Sequence, residues 1–169
     1  PGSSPAGQGR SANDRRRRGS GWPKRHWSDR TRETDRGLLI IFFMTELNHE
    51  EMDQYRRHLS LQGFGEKRQI KLKKSSVLVV GAGGLGCPVL QYLTAAGVGK
   101  IGIVDDDVVE SSNLQRQILF DHNDIGSPKA KIAASKLSLL NPFILHCPHV
   151  ERLTKENAQS LFSEYDLIV

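Results

Sequence analysis

Four glycines within six positions, Gly81, Gly83, Gly84 and Gly86, follow directly on the apolar run Val77-Leu78-Val79-Val80. Gly81, Gly83 and Gly86 meet the spacing G-x-G-x-x-G, and a helical pattern begins immediately behind them. Backbone N–H groups in such a turn can approach a phosphate because no Cβ intervenes, and a helix N-terminus adds a favourable field. Asp105 stands nineteen residues after Gly86, at the end of the next apolar run, where a carboxylate can hold ribose hydroxyls. These residues signify a nucleotide and leave hydride transfer from a dinucleotide open.

Two cations narrow the choice. Arg116 and Lys129 lie where the chain leaves the second apolar run toward the ligand crevice of such a fold. A pyrophosphate is largely satisfied by loop amides and a helix field of about 0.3–1 kcal/mol. A triphosphate carries more charge, and one cation about 4 Å away contributes about 4 kcal/mol at an effective dielectric of about 20. The glycine turn together with Arg116 and Lys129 therefore favours a nucleoside triphosphate.

The elements that must position these groups are legible in the periodicity. Asn48 caps a helix carrying Glu50 and Glu51 in its first turn, with Met52, Tyr55 and Leu59 expected on one face. Gly63 and Gly65 break it, and a second short helix over 66–73 presents Ile70 and Leu72. A strand at 77–80, a helix over 86–96 ended by Gly97 and Gly99, and a strand at 100–104 follow. Residues 105–113 are irregular and lead into a short turn at 114–117. Pro128 opens a helix that turns Ile132, Leu137 and Leu140 inward and closes at Asn141-Pro142. A strand near 143–147, a helix opened by Thr154 with Asn157 three residues on, and a last apolar strand at 166–169 complete the pattern. Strands alternating with helices of these lengths predict an α/β fold with a doubly wound, mainly parallel, Rossmann-like sheet. Because parallel strands need covering helices, an apolar strand at the chain's end implies the N-terminal part of a larger protein.

Charge is unevenly distributed. Residues 1–43 hold ten Lys/Arg against four Asp/Glu, so of the net +5 the remainder, 44–169, carries −1. The body therefore offers no bulk electrostatic case for nucleic acid. Residues 1–43 are rich in Gly, Ser, Pro and Arg and read as a disordered basic tail, with Met44 as an alternative start. The run Arg15–Arg18 with Trp22 and Trp27 fits RNA or anionic lipid only as an alternative to a solvated tail. Asp14, Asp29, Glu33 and Asp35 argue against a mitochondrial presequence. Cys87 and Cys147 form neither a C-x-x-C pair nor a disulfide framework, which points to a reducing, cytoplasmic setting. No apolar run reaches the roughly 18–20 residues of a membrane span.

The segments MDQYRRHLSLQGFG at 52–65, VLVVGAGGLGCPVLQYLTAAGVGKIGIVDDDVVESSNLQRQILF at 77–120 and IGSPKA at 125–130 resemble the ThiF/MoeB/HesA family. These are ubiquitin-activating-like adenylyltransferases, and MoeB-type members match closely over about 44–169. The resemblance implies ATP-dependent activation of the C-terminal glycine of a ubiquitin-fold sulfur carrier as an acyl-adenylate. It implies that Gly84 backs the adenosine phosphate, that Asp105 holds the ribose and that Ser112, Asn113 and Arg116 lie at the nucleotide. It further implies that Lys129 stabilises the departing charge and that Arg57 is contributed across a homodimer interface. The family's Mg2+-binding aspartate lies just beyond a strand like 166–169, and its zinc-binding Cys-x-x-Cys pairs and carrier-tail segment lie further on. The 169-residue chain by itself is therefore expected to show little or no adenylation.

Cys87 reads as a packing residue behind the glycine turn, and His146-Cys147-Pro148-His149 as a strand end without a metal. The alternatives are an NAD(P)-dependent oxidoreductase, an adenylating tRNA-modifying dehydratase of the same superfamily, and a nucleotide-binding module without catalysis.

Overall fold

The computed structural model describes Gly2 and residues 46–169. The expectations for the basic tail, for Met44 and for 38–43 lie outside the described residues.

Four strands, β1 (Ser76–Val80), β2 (Lys100–Val104), β3 (Leu145–His149) and β4 (Leu167–Ile168), form one sheet in the order β3-β2-β1-β4. Every pairing is parallel. The crossovers are helices: α4 (Gly86–Ala96) joins β1 to β2, α5 (Lys129–Leu140) joins β2 to β3, and α6 (Lys155–Phe162) joins β3 to β4. Before the sheet lie α1 (His49–Gln54), α2 (Arg56–Leu59) and α3 (Gly65–Lys74).

Strand alternation divides the core. Val77 and Val79 of β1 and Ile101 and Ile103 of β2 face α4 and α5, meeting Leu90, Ala130, Ala133 and Leu137. Leu78 and Val104 face the other way, against Leu161 of α6 and Tyr165. Helices on both faces are what the strand–helix alternation predicts.

Several side chains depart from their expected positions. Asn48 and Glu51 form a reciprocal capping box, with Asn48 Oδ1 accepting from Glu51 N at 2.8 Å and Glu51 Oε2 accepting from Asn48 N at 2.9 Å. That arrangement turns Glu51 inward and leaves Met52 exposed. Lys73 of α3 then meets Glu51 at 2.6 Å as a buried ion pair and also donates to the Glu46 carbonyl at 2.8 Å. Gln69 and Lys73 are the fully buried residues of α3, while Leu72 packs half-buried against the core as expected and Ile70 is half-buried. Polar satisfaction, which apolar periodicity does not register, decides both helices.

α5 buries Ala130, Ala133, Ala134 and Leu137, but the next inward position belongs to Asn141, and Leu140 is exposed. Asn141 Nδ2 donates to both Tyr55 Oη and the Thr94 carbonyl at 2.8 Å, locking α1–α2 to the ends of α4 and α5. Its Oδ1 accepts from Phe143 N at 3.2 Å, and this turn delays β3 by two residues relative to the predicted 143–147. Thr154 and Asn157 form the expected capping box of α6.

His146 of β3 lies between α4 and α5, exchanging hydrogen bonds with Thr94 Oγ1 at 3.1 Å and Ser138 Oγ at 3.2 Å. Burial lowers its pKa from 6.5 to about 4. Between those values the unfolded chain binds a proton that the folded chain refuses. Stability from His146 is thus full above pH 6.5 and is lost as pH falls toward 4, by at most roughly 3 kcal/mol. Urea unfolding at pH 7 and pH 4.5 should show a steeper loss for wild type than for His146→Gln.

Candidate nucleotide-binding site

The turn between β1 and α4 is built on close main-chain contact. Gly81 adopts φ +94°, and its N–H donates to the Val104 carbonyl at 2.7 Å, tying the turn to the end of β2. A Cβ on Gly86 would stand 1.9 Å from the Gly81 carbonyl oxygen, so only glycine can begin α4 there. Gly83 differs: a methyl group at this position would have a single neighbour within 4 Å, Gln117 Nε2 at 3.9 Å, so the space over the turn is open. Gly84 faces the aliphatic stem of Arg116, whose Cδ and Cγ would lie 3.4 and 3.5 Å from a Cβ.

Asp105 closes the foot of the turn. Its Oδ2 accepts from Ala82 N at 2.7 Å and its Oδ1 from Asp107 N at 2.9 Å. These bonds fix the carboxylate at the sheet's C-terminal edge, the end at which open parallel sheets bind ligands.

The strap that follows is sewn to the start of α5. Val109 N donates to the Ser127 carbonyl at 2.9 Å, Gly126 N to the Val109 carbonyl at 2.8 Å, and Lys129 N to the Asp107 carbonyl at 2.9 Å. Val108 and Pro128 form an isolated antiparallel bridge. Lys129 is buried, and its Nζ donates to Asp107 Oδ2 at 2.8 Å. Asn113, in the short 3-10 turn Ser111–Asn113, is also buried, donating through Nδ2 to Ser112 Oγ at 3.3 Å. Arg116 is exposed and its Nη1 donates to the Ser112 carbonyl at 3.3 Å.

These groups surround a cleft of about 430 Å³, which brings together Gly81, Gly83, Gly84 and Asp105 from the sheet edge with Asn113, Arg116 and Lys129 from the strap and α5. Gly86 shapes the turn from behind, and Ser112 is exposed beside the cleft without lining it. A second cleft of about 230 Å³ shares Gly81, Asp105 and Asp107 and extends to Glu151, Arg152 and Leu153 after β3. Arg57 is in neither. It is exposed on α2, two residues after Tyr55, which packs on Gly97 at the far end of α4, about 15 Å of helix away from the glycine turn.

Two lining groups carry little signal in the sequence. Gln117 is almost fully buried, and its Oε1, like Asn113 Oδ1, has no hydrogen-bond partner within the protein. Buried acceptors left open at a cleft are places for a ligand's hydroxyl or a water. Asp107, the partner of Lys129, is the other; only its place at the end of three consecutive aspartates marks it.

Cys87 donates to the Ala82 carbonyl at 3.3 Å, and burial pushes its thiol pKa up, so it packs as an inert thiol. His146 and His149 lie on opposite faces of β3, His149 Nε2 meeting Tyr165 Oη at 2.9 Å, and cannot share an ion. Asp105, Asp106 and Asp107 form the one acidic cluster among the described residues. Asp105 is engaged by two amides and Asp107 through one oxygen by Lys129, while Asp106 is exposed.

A parallel sheet with a glycine turn, an amide-anchored carboxylate and a buried lysine at its C-terminal edge defines the class as an α/β protein with a Rossmann-like sheet. The ThiF family matches residues 55–169, and the chain belongs to that family. It is 52% identical over 120 residues to the sulfur carrier protein adenylyltransferase of Thermus thermophilus, covering 71% of this chain and 44% of that protein. It is 50% identical over 123 residues to the probable adenylyltransferase/sulfurtransferase MoeZ of Mycobacterium tuberculosis, covering 73% of this chain and 31% of the relative. The chain therefore spans less than half the length of these relatives. Among solved structures, the E. coli tRNA N6-threonylcarbamoyladenosine dehydratase TcdA in complex with ATP matches with a TM-score of 0.66 and 25% identity, over 72% of this chain and 49% of that one. No helix among the described residues is long and apolar enough to cross a membrane.

The glycine geometry separates folding from binding. Gly83→Ala should leave thermal unfolding nearly unchanged, since its methyl group meets open space. The same methyl should weaken ATP binding at least ~10-fold by excluding a phosphate from the turn. Gly86→Ala should destabilise by several kcal/mol through its clash with the Gly81 carbonyl. Differential scanning and isothermal titration calorimetry on the two variants check both outcomes.

Proposed function

We propose that the protein containing this chain is an ATP-dependent adenylyltransferase. Its substrate would be the C-terminal glycine of a ubiquitin-fold sulfur carrier of MoaD, ThiS or Urm1 type, serving molybdopterin, thiamine or tRNA-thiolation sulfur transfer. The observation that carries this reading is the buried Lys129 ammonium on a cleft opposite the glycine turn. With Arg116 it places two cations on one cleft, which favours a triphosphate over a dinucleotide's pyrophosphate. Identities of 52% and 50% to relatives named as adenylyltransferases, against 25% to the tRNA dehydratase, favour a carrier protein over tRNA as the acceptor.

In this reading Asp105 holds the ribose, and the base extends toward the smaller cleft beside Glu151–Leu153. The phosphates run over Gly81, Gly83 and Gly84, in front of Gly86 and the N-terminus of α4, toward Ser112, Asn113 and Arg116. A carboxylate oxygen of the carrier's terminal glycine attacks the α-phosphorus. The bond from that phosphorus to the bridging oxygen breaks, and pyrophosphate leaves with the electron pair. Arg116 and Lys129 stabilise the charge that grows on the departing oxygens.

Arg57 stands at the far end of α4 from its own cleft, so we assign it to the cleft of a second copy in a homodimer. Mg2+ accompanies the nucleotide on ligands outside the described residues, and a structural Zn2+ would also lie outside them. Residues 44–169 form the N-terminal portion of a ThiF/MoeB-type nucleotide-binding domain in a cytoplasmic protein.

In the complete protein, Arg116→Ala and Lys129→Ala should each slow carrier-dependent adenylation by at least ~10², as expected for loss of a few kcal/mol of transition-state stabilisation. ATP–pyrophosphate exchange measures this, and unchanged rates would remove the assignments. Tight NAD(H) binding without ATP affinity would sink the reading in favour of an oxidoreductase. Pyrophosphate release that depends on tRNA rather than on a carrier would favour the dehydratase.

A further inference from the structure

The phosphate-facing cation of this cleft carries a carboxylate of its own. Lys129 Nζ lies 2.8 Å from Asp107 Oδ2, and the two side chains differ sharply in exposure, 6% for Lys129 against 67% for Asp107. A site that binds a polyanion gains nothing from an acid on its best cation while the anion is bound. The nucleotide-free cleft has the opposite need. A buried ammonium with no counter-charge is costly, whereas an exposed carboxylate keeps most of its water while neutralising it.

The backbone makes this pairing specific. Lys129 N donates to the carbonyl of the same Asp107 at 2.9 Å, and the Val108–Pro128 bridge lies between them. The two residues are therefore held in register by main chain, and the carboxylate alone is free to turn toward solvent. Asp105, by contrast, has both oxygens on backbone amides and cannot trade places.

We infer that Asp107 is the exchangeable counter-ion of Lys129, a positioning residue that holds the ammonium toward the cleft when no phosphate is present. Incoming phosphates displace the carboxylate from Lys129, and the carboxylate recaptures the ammonium as pyrophosphate departs. The inference rests on the proposed nucleotide reading and adds a role in product release. It makes ATP and pyrophosphate bind less tightly than the bare cation would allow, and it keeps the cleft from holding its product.

The test is calorimetric titration of full-length wild type, Asp107→Asn, Asp107→Glu and Lys129→Ala with Mg·ATP and with Mg·pyrophosphate, together with steady-state adenylation. Asp107→Asn should tighten both ligands about fivefold, the scale of an exposed charge, and should lower KM and kcat together as release slows. Asp107→Glu, which keeps the charge, should return toward wild type. A purely structural Asp107 would instead weaken both ligands and raise KM, and that result, or unchanged affinities in Asp107→Asn, overturns the inference. If Lys129→Ala loses ATP affinity while Asp107→Asn behaves as wild type, the counter-ion role fails and the nucleotide reading stands. If wild type binds neither ligand, both fall.

Discussion

The arrangement around the cleft depends on one close approach, that of the Gly81 carbonyl to the Cα of Gly86. At that distance α4 can begin directly behind β1, so the helix N-terminus and the open face of Gly83 look across the same space. The turn is also fixed from the side, because Gly81 N bonds the Val104 carbonyl and Ala82 N bonds Asp105. The Asp105 carboxylate is thereby a structural member of the turn. Turn, carboxylate and helix terminus form one rigid unit at the sheet edge, and Lys129 and Arg116 are brought to it by the strap from β2.

The opposite end of the domain is held by polar contacts. Glu51 and Lys73 pair out of water, Gln69 bonds the Ala96 carbonyl at 2.8 Å, and Asn141 ties Tyr55 to α4. Buried pairs of this kind add little net stability over apolar packing, but they admit few alternative arrangements. Here they fix where the segment carrying Arg57 sits against the sheet. The position of that arginine, remote from its own cleft, is a consequence of this docking.

The parts of the fold that follow from apolar period are legible in the sequence: β1, α4 and β2 fall where Val77–Val80, Gly86–Ala96 and Lys100–Val104 predict. The capping pair Thr154 and Asn157 is equally legible. What period does not register is inward-facing polarity. Glu51 rather than Met52 and Asn141 rather than Leu140 are buried, and Lys73 is buried beside the core-packed Leu72, because each finds a partner distant in sequence. The same reason hides Asp107, whose meaning depends on Lys129. The glycines, Asp105, Arg116 and Lys129 are legible because their spacing carries the chemistry. Arg57 rests on resemblance alone, and no contact within one chain brings it to the cleft.

The sewing of the strap to α5 has a kinetic consequence. Three backbone hydrogen bonds, two of which form the Val108–Pro128 bridge, hold the strap against the start of α5. A segment held in this way has little backbone entropy left to lose to a ligand of the cleft, so binding there should not wait on loop closure. The rate of arrival should accordingly track ionic strength, while the movements on binding are confined to side chains at the cleft.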